Sequence, residues 1–358
     1  MDLGLVGRTN AGKTALFNLI TESSAEVAPY PFTTREALRG MAEVPDPRVD
    51  AIADAQDIPR RVQAQVQVVD IPGLAAGAGQ GEGLGGKALG ELRQTDALIH
   101  VIRAFANREV PHPDDAIDPV ADAEAIDLEL ILADREQVER RLEKVRKGAK
   151  SGDAAARAEL VLLDQLATEL DAGTPVRVAA DDDARTLAAE MGLLTVKPVL
   201  YVLNADDPGD PPADLAAYAG SRHAQVIALA VGTELELAQL SDQEAAELAA
   251  EMELGDVRGA DAVVRAAYDL LDLVTFFTGS GPPEARAWPI RRGLTADRAA
   301  GKIHSDLERG FIRAEVVPWE DLVRAGSFAK ARESAHVRME GKDYVVQEGD
   351  VLQIRFAV

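Results

Sequence analysis

The chain has 358 residues, no cysteine, and 38 Lys and Arg against 61 Asp and Glu, which gives a formal net charge of −23. Its composition, 47% hydrophobic and 28% charged, is that of a globular protein long enough to bury a sizeable core. A disulfide-stapled secreted scaffold and any cysteine-ligated zinc, haem or iron–sulfur site are therefore excluded. The start lacks a signal-peptide pattern, and no apolar run approaches the roughly 18 residues of a spanning helix, so we expect a cytoplasmic protein without membrane contact.

A phosphate-binding motif follows the first strand-like run at residues 3–6. Residues 7–14, Gly-Arg-Thr-Asn-Ala-Gly-Lys-Thr, fit Gly-x4-Gly-Lys-[Ser/Thr] and lead into a helical pattern. The glycines let backbone N–H groups converge on a phosphate chain, Lys13 supplies charge at the β- and γ-phosphates, and the Thr14 hydroxyl can ligate Mg²⁺. A glycine turn that only caps a helix would need neither side chain, so a nucleoside triphosphate site is predicted. The expected nucleotide contacts here are Asn10, Ala11, Gly12, Lys13, Thr14 and Ala15.

A second motif and a threonine complete the predicted phosphate and metal site. A strand-like run at 66–71 carries Asp-x-x-Gly, in which Asp70 is expected to hold a Mg²⁺-bound water and the Gly73 N–H to meet the γ-phosphate. Thr34 lies in an aperiodic stretch and is predicted to reach the metal, although without the flanking motifs a plain turn with a threonine cap would explain the stretch equally well. Leu74 stands where Ras-like hydrolases place a glutamine, so either another group acts in catalysis or hydrolysis is slow. The predicted metal residues are Thr14, Thr34 and Asp70.

The pattern along the rest of the chain predicts an α/β protein with an insertion and a C-terminal module. Apolar runs alternate with helical patterns over the first 105 residues and return at 198–203 and 225–230, which predicts a mainly parallel sheet. Between them, one-sided apolar patterns at 124–147 and 157–171 predict an antiparallel helical hairpin. Short strands and turns dominate the last 80 or so residues, as in a small mixed α+β module. The predicted domains are 1–118 with 196–275, the hairpin domain at 119–195, and 276–358.

Several segments together resemble one known family. They are Gly-Glu-Gly-Leu-Gly at 81–85, Leu-Glu-Leu-Ile-Leu-Ala-Asp at 128–134, Lys-Pro-Val-Leu-Tyr at 197–201, Ala-Arg-Ala-Trp at 285–288, Ala-Ala-Gly-Lys-Ile-His at 299–304 and Arg-Gly-Phe-Ile-Arg-Ala-Glu-Val at 309–316. With the motifs above, they make the whole chain resemble the Obg-like ATPase family of YchF type. That resemblance implies a P-loop G domain, an inserted α-helical coiled-coil hairpin and a C-terminal ubiquitin-like (β-grasp) TGS domain. It also implies Mg²⁺-dependent ATP hydrolysis and contact with the ribosome, a ribosomal subunit or other translation components.

The segments expected to read the base depart from the usual patterns. Related GTPases use Asn-Lys-x-Asp and the YchF type uses Asn-x-x-Glu, whereas this chain has Asn204, Ala205, Asp206 and Asp207. The missing lysine favours ATP, while Asp207 stands where a guanine reader would be, so GTP remains the alternative. The second base loop, at 230–232, also departs from the usual Ser-Ala-Lys. The predicted base contacts are Asn204, Ala205 and Asp207.

The resemblance also suggests groups that replace the missing glutamine. His112 matches a loop histidine that YchF-type proteins bring to the γ-phosphate, although a lone loop histidine is equally well a bystander. With Lys13 and Gly73 it makes up the predicted catalytic set. Asn10 resembles an asparagine that helps hold K⁺ in some relatives without the glutamine, so K⁺ joins Mg²⁺ as an expected cation. His100, inside a strand-like run, is expected to be a hydrogen-bonded structural residue.

Two regions of this acidic chain are candidates for a non-specific RNA contact. The end of the hairpin has Glu143 as its one acidic residue among Arg140, Arg141, Lys144, Arg146, Lys147 and Lys150, and residues 276–358 have 13 basic and 12 acidic residues. Contact of the hairpin tip and the TGS domain with RNA by shape and phosphate charge is one interpretation, and a solvated coiled-coil surface is an equal one.

Three functional hypotheses follow from these observations. The first is a Mg²⁺-dependent ATPase that acts as a nucleotide-dependent switch on ribosomes. The second is a nucleotide-gated ribosome-binding protein with negligible turnover, which Leu74 leaves open. The third is a GTPase of the same fold, which Asp207 favours and Ala205 opposes.

Overall fold

The computed structural model describes residues 1–25, 37–71, 85–107, 109–112, 116–207, 209–251, 259–279 and 284–357. They form two compact units, one of residues 1–42 and 67–270 and the other of residues 43–66 and 271–358. Within the described ranges, no helix combines the length and the hydropathy that crossing a bilayer requires.

The structure contains twelve strands and fifteen helices in its described residues. The strands are β1 (Asp2–Val6), β2 (Leu38–Val44), β3 (Arg60–Val62), β4 (Ala64–Asp70), β5 (Ala97–Arg103), β6 (Val199–Asn204), β7 (Gln225–Leu229), β8 (Leu273–Thr278), β9 (Glu284–Arg291), β10 (Phe311–Pro318), β11 (Arg338–Glu340) and β12 (Asp350–Phe356). The helices are α1 (Lys13–Thr21), α2 (Pro47–Ala55), α3 (Gly85–Gln94), α4 (Pro119–Lys150), α5 (Ala154–Asp171), α6 (Val176–Ala179), α7 (Asp182–Glu190), α8 (Ala213–Ser221), α9 (Val231–Leu237), α10 (Asp242–Glu251), α11 (Gly259–Asp269), α12 (Ala296–Ile303), α13 (Ser305–Arg309), α14 (Trp319–Ala325) and α15 (Phe328–Glu333).

The first sheet has the order β2-β4-β1-β5-β6-β7, and β1 pairs in parallel with β4 and β5, as β6 does with β5 and β7. Every residue of β5 is buried, and five of its seven residues are apolar, as expected for a central strand of a parallel sheet. Leu5 pairs with Asp70 and Arg103 pairs with Asn204, so polar residues at strand ends meet at the carboxyl edge of the sheet. Ligands bind at this edge in open parallel sheets. The predicted α/β class is confirmed.

The predicted hairpin is formed by α4 and α5. Helix α4 begins where the Asp118 carboxylate accepts the N–H groups of Val120 and Ala121, with Pro119 as the first helical residue. Its 32 residues span about 48 Å at 1.5 Å per residue. The two helices bury a shared apolar core that includes Ile131, Val138, Leu142, Leu163, Leu166 and Leu170.

The second unit has a mixed sheet of the order β11-β10-β12-β8-β9-β3. Strand β10 is antiparallel to β11 and β12, β8 is antiparallel to β9, and β12 is parallel to β8. Helix α12 contributes Ala296 and Ala299 to a core that contains Phe276, Val316 and Leu352. This is the mixed α+β arrangement predicted for the end of the chain.

Residues 43–66 differ from their predicted placement in the first domain. They belong to the second unit, where β3 pairs in parallel with β9 and Arg48 forms a 2.6 Å ion pair with Glu348. The local sequence pattern of this segment predicts a strand and a helix, which would fit either domain. The domain to which the segment belongs is decided by the pairing of β3 with β9, more than 200 residues further along the chain. The three-domain division itself stays a prediction.

Candidate functional site

The phosphate loop, residues 7–14, has a backbone that only glycine allows at two positions. Gly7 has φ 151° and Gly12 has φ 95°, and a Cβ added to either would come closer than 3.0 Å to the Val101 carbonyl oxygen or to Asn204 Nδ2, respectively. Asn10 also has a positive φ of 63°, which asparagine tolerates better than most residues. The loop leads into α1, whose N-terminus has no side-chain cap. Its first N–H groups therefore suit an anion.

Lys13 is buried beneath the phosphate loop and holds its backbone. Its Nζ donates to the carbonyl oxygens of Gly7 at 3.1 Å and Arg8 at 2.8 Å. Burial lowers the pKa of Lys13 to about 8, and the negative charge of Asp70 opposes that shift. A phosphate chain is a stronger partner for an ammonium group than a neutral carbonyl, so this lysine is suited to bind one.

Thr14 and Asp70 form the predicted metal pair. The Thr14 hydroxyl donates to Asp70 Oδ2 at 2.7 Å, and Asp70 is 1% exposed. Burial raises the pKa of Asp70, while the Thr14 hydrogen bond and Lys13 act in the opposite direction. A divalent cation would compensate a carboxylate held in this environment, and both side chains offer the oxygen atoms that Mg²⁺ prefers.

The Thr14–Asp70 pair would supply two protein oxygen ligands to Mg²⁺. In the described part of the chain, no three His, Cys, Asp or Glu side chains cluster to hold a metal. Mg²⁺ takes few protein ligands in nucleotide sites, because phosphate oxygens and water supply the rest.

The predicted base-reading segment lies next to the phosphate loop. Asn204 is buried and its Nδ2 donates to the Ala11 carbonyl at 3.1 Å, so its side chain supports the loop. Ala205 N–H donates to Leu229 of β7 at 3.1 Å. Asp206 accepts the Ala106 N–H at 3.0 Å, and both it and Asp207 are exposed. The structure thus brings Asn204 to the loop and leaves the two carboxylates at the surface.

The histidine loop, whose described residues are 104–107 and 109–112, reaches the phosphate loop at two points. Asn10 Nδ2 donates to the Pro111 carbonyl at 3.0 Å. His112 Nε2 lies 3.0 Å from Asp122 Oδ2, and Arg8 Nη1 lies 2.8 Å from Asp122 Oδ1. The structure therefore brings the predicted His112 to the phosphate loop through a carboxylate in the first turn of α4.

Arg103, at the end of β5, organises the histidine loop. Its buried guanidinium donates to the carbonyl oxygens of Phe105, Asn107, Val110 and Pro111 at 2.9–3.4 Å. It also lies 4.4 Å above the centre of the Phe105 ring. One side chain thus fixes most of the backbone that carries His112.

Three residues of this site were missed by sequence reasoning: Arg8, Arg103 and Asp122. Arg8 occupies an unspecified position of the motif, and Arg103 resembles any charged residue after an apolar run. Asp122 has the appearance of an acidic residue in the first turn of a helix, which is common without function.

Some predicted site residues lie outside the described residues. Thr34 and Gly73 are among them. Their assigned roles stay predictions. Ala15 is described, on the partly buried side of the first turn of α1.

His100 is a buried strand residue, but it is not hydrogen-bonded as expected. Neither ring nitrogen has a hydrogen-bond partner among the described residues. Burial lowers the pKa of His100 to about 4, against the opposing charge of Asp127. Tyr201 and Tyr218 both donate to Asp127 Oδ2, at 2.6 and 2.8 Å, while His100 Nδ1 lies 3.9 Å from Asp127 Oδ1, beyond hydrogen-bond distance.

The basic end of the hairpin combines paired and unpaired charges. A groove of about 580 Å³ between α4 and α7 is lined by Gln137, Arg140, Arg141, Lys144, Leu187, Glu190 and Met191. Arg141 pairs with Glu159 at 2.5 Å, and Arg140 and Arg146 form longer pairs with acidic residues. For Lys144, Lys147 and Lys150, all exposed, no ion pair occurs with another described residue. These three lysines place exposed positive charge at the end of α4.

Comparison with known proteins extends the likeness over the whole chain. A family model described as "50S ribosome-binding GTPase" matches residues 2–147, and the model for the YchF GTPase C-terminal region, described as a protein of unknown function, matches residues 273–357. The chain is 42% identical to the ribosome-binding ATPase YchF of Bacillus subtilis and 40% identical to that of Escherichia coli O157:H7, each over 99% of both chains.

The similarity to more distant relatives also covers nearly the full length of both chains. Obg-like ATPase 1 of Oryza sativa subsp. japonica is 36% identical over 100% of this chain and 92% of its own length. The solved structure of the Schizosaccharomyces pombe YchF GTPase superposes with a TM-score of 0.81 at 30% identity, over 99% of this chain and 97% of that one.

Proposed function

The chain belongs to the YchF family, and on that premise we propose that it is a Mg²⁺-dependent P-loop ATPase that acts as a nucleotide-dependent switch on the ribosome. The observation that carries this proposal is the cluster at the carboxyl edge of the first sheet. There, the glycine-dependent phosphate loop, the buried Lys13 and the Thr14–Asp70 pair lie together. A ribosome or ribosomal subunit as partner follows from the names of the full-length relatives and implies the cytoplasm as the place of action.

The residues divide the work of phosphoryl transfer between binding and positioning. The backbone N–H groups of the phosphate loop and the start of α1 bind the phosphate chain, and Lys13 exchanges its carbonyl partners for the β- and γ-phosphate oxygens. The Thr14 hydroxyl and Asp70 would hold Mg²⁺, which neutralises charge on the β- and γ-phosphates when bound. The Gly73 N–H and Thr34 complete the γ-phosphate and metal contacts.

In this proposal, His112 takes the catalytic role that the glutamine has in Ras-like hydrolases. Its side chain is 7% exposed and contacts Asp122, which pairs with Arg8 of the phosphate loop, and this contact supports a role in orienting a water molecule toward the γ-phosphate. Asn10 holds the neighbouring Pro111 carbonyl and is the residue for K⁺. Equal turnover in potassium and sodium buffers would remove K⁺ from the proposal.

ATP is preferred over GTP because Ala205 replaces the lysine that related GTPases use beside guanine. The relatives named above as ATPases share this full-length likeness, while the S. pombe protein is titled a GTPase. Asn204, Ala205 and Asp207 form the proposed base contact, with Asp207 the feature that favours the GTPase alternative. Competition between ATP and GTP for the purified protein decides between them. Asp207→Glu should strengthen the ATP preference, and the matched Ala205→Lys should weaken it.

The second alternative, a nucleotide-gated binder with negligible turnover, rests on Leu74 in place of the glutamine. Phosphate release by the purified protein that disappears in Lys13→Ala supports the enzyme. ATP-dependent cosedimentation with ribosomes without any phosphate release supports the binder instead.

We also propose a non-specific RNA contact through the hairpin tip and the C-terminal unit, as part of ribosome binding. Lys144, Lys147 and Lys150 supply exposed positive charge at the end of α4. Reversing all three to Glu should weaken ribosome cosedimentation and reduce its dependence on salt. Arg185→Glu on α7, where Arg185 pairs with Asp182, is the control and should change neither. Equal ribosome binding by both variants would mean that the hairpin tip is a solvated surface and does not contact RNA.

A further inference from the structure

We propose that Asp122 is the positioning residue of His112, holding the imidazole in one tautomer and tying it to the phosphate loop through Arg8. This inference rests on the proposed function in one respect, because it takes His112 as the group that acts near the γ-phosphate. It adds a residue of α4, outside every motif of the sequence, to the hydrolytic machinery.

The contacts of Asp122 use both oxygens of its carboxylate. Oδ1 accepts from Arg8 Nη1 at 2.8 Å, and Oδ2 lies 3.0 Å from His112 Nε2. Asp122 is 3% exposed, Arg8 is 9% exposed, and the side chain of His112 is 7% exposed. A bridge buried this well is shielded from competing water and from salt, so its geometry is retained.

The chemistry of the three groups fixes the proton on the ring. The Arg8 guanidinium keeps its charge in proteins, and a carboxylate paired with it can only accept hydrogen bonds. His112 must therefore donate from Nε2, which selects the Nε2–H tautomer of the neutral ring. The same carboxylate stabilises the imidazolium that forms if the ring takes a proton from water, as in other carboxylate–histidine pairs.

The backbone next to His112 is held independently of Asp122. The Pro111 carbonyl accepts from Asn10 Nδ2 at 3.0 Å and from Arg103 Nη1 at 3.4 Å. Removing the Asp122 carboxylate should therefore remove its contact with Nε2 while the loop stays near its position. That expectation separates a positioning role from a general loss of loop structure.

The decisive comparison uses Asp122→Asn, His112→Ala and the double variant, measured for kcat and KM of ATP hydrolysis. His112→Ala should lower kcat by about 100-fold, within the usual range for a general acid or base. Asp122→Asn should lower kcat by about tenfold or more with a smaller change in KM, because the interaction acts on the reacting state. The double variant should have the kcat of His112→Ala alone.

Asp118→Asn is the matched control. It changes a carboxylate that caps the same end of α4 by accepting the N–H groups of Val120 and Ala121. Its kcat should stay within about twofold of the unchanged protein. A fall equal to that of Asp122→Asn would mean that disturbance of the helix start, rather than positioning of His112, explains the loss.

A spectroscopic readout keeps the proposal testable apart from activity. Long-range ¹⁵N–¹H spectra of the histidine rings, with the His112 signal assigned by its loss in His112→Ala, should show Nε2–H in the unchanged protein and a mixed or reversed tautomer in Asp122→Asn. If Asp122→Asn unfolds, the double variant Arg8→Gln with Asp122→Asn, which removes both charges of the buried pair, takes its place in the experiment. Arg8→Gln alone is then the reference for that double variant.

The outcomes separate the two proposals. If His112→Ala keeps its kcat, the role of His112 in the proposed function is wrong, and the tautomer alone decides whether Asp122 positions it. If His112→Ala loses activity while Asp122→Asn keeps both its kcat and the Nε2–H tautomer, the inference about Asp122 is overturned and the proposed function stands. Additive losses in the double variant would likewise overturn it.

Discussion

Replacing Gly12 by alanine perturbs the phosphate loop at the point where it meets Asn204, in the segment proposed to contact the base. Gly12 has φ 95°, and its added Cβ would come closer than 3.0 Å to Asn204 Nδ2. A left-handed backbone costs a residue with a side chain about 1–2 kcal/mol. Displacing Asn204 from the Ala11 carbonyl removes a hydrogen bond worth about 1 kcal/mol.

The magnitude of the effect on nucleotide binding follows from these two contributions. The mutant loop can relax in the free protein and must return to the strained form to bind the phosphate chain. The whole cost, about 2–3 kcal/mol, then appears as weaker binding, which corresponds to an increase in Kd of about 30- to 150-fold.

Gly152→Ala is the control for this prediction. Gly152 lies in the turn between α4 and α5 with φ 96°, so alanine meets the same backbone strain there. The atom nearest to the added Cβ is Arg157 Nη2 at 3.8 Å, which is an ordinary van der Waals contact. Denaturant unfolding should show a loss of about 1–2 kcal/mol, while calorimetry should show unchanged binding of MgATP. Unaltered MgATP affinity in Gly12→Ala would refute the role assigned to this contact.

Three further predictions concern buried charges. Burial raises the pKa of Asp70 above its unfolded value, so ionisation of Asp70 opposes folding as the pH rises past the unfolded value. Asp70→Asn should therefore raise the thermal stability of the protein at pH 7 without Mg²⁺. The same variant should lose the stabilisation that MgATP gives the unchanged protein. Asp134, 0% exposed, accepts the N–H groups of Leu194 and Thr195 and pairs with Arg93, and Asp134→Ala should cost about 3–5 kcal/mol in urea unfolding. The pKa of His100 is lowered to about 4, so stability should fall as the pH drops from about 6.5 toward 4, by up to about 3 kcal/mol, and His100→Gln should flatten that dependence; an unchanged slope would contradict the assignment.

The features that the sequence predicted well are those that depend on residues close together in the chain. The phosphate motif specifies its own backbone, since Gly7 and Gly12 have the positive φ values that the turn requires. Asp70 could be placed because parallel strands end at one edge of the sheet, which brought it to 2.7 Å from Thr14. The helical hairpin followed from its one-sided apolar spacing in the same way.

The features that the sequence did not predict depend on contacts between distant segments. Asp122 meets Arg8 across 114 residues, and neither is distinguished by its neighbours in the chain. Strand β3 joins β9 because of long-range pairing that its three residues do not encode. The ring nitrogens of His100 have no hydrogen-bond partner among the described residues although Asp127 Oδ1 lies 3.9 Å from Nδ1, a spacing that only the packed core defines.

Calorimetric titration of the purified chain with MgATP, beside Lys13→Ala, tests the central claim most directly. We expect saturable binding at one site in the unchanged protein, weaker binding of MgGTP, and no detectable MgATP binding in Lys13→Ala of equal thermal stability. Absence of heat at millimolar MgATP, or equal binding by the two proteins, would contradict the assignment of residues 7–14 as the nucleotide site.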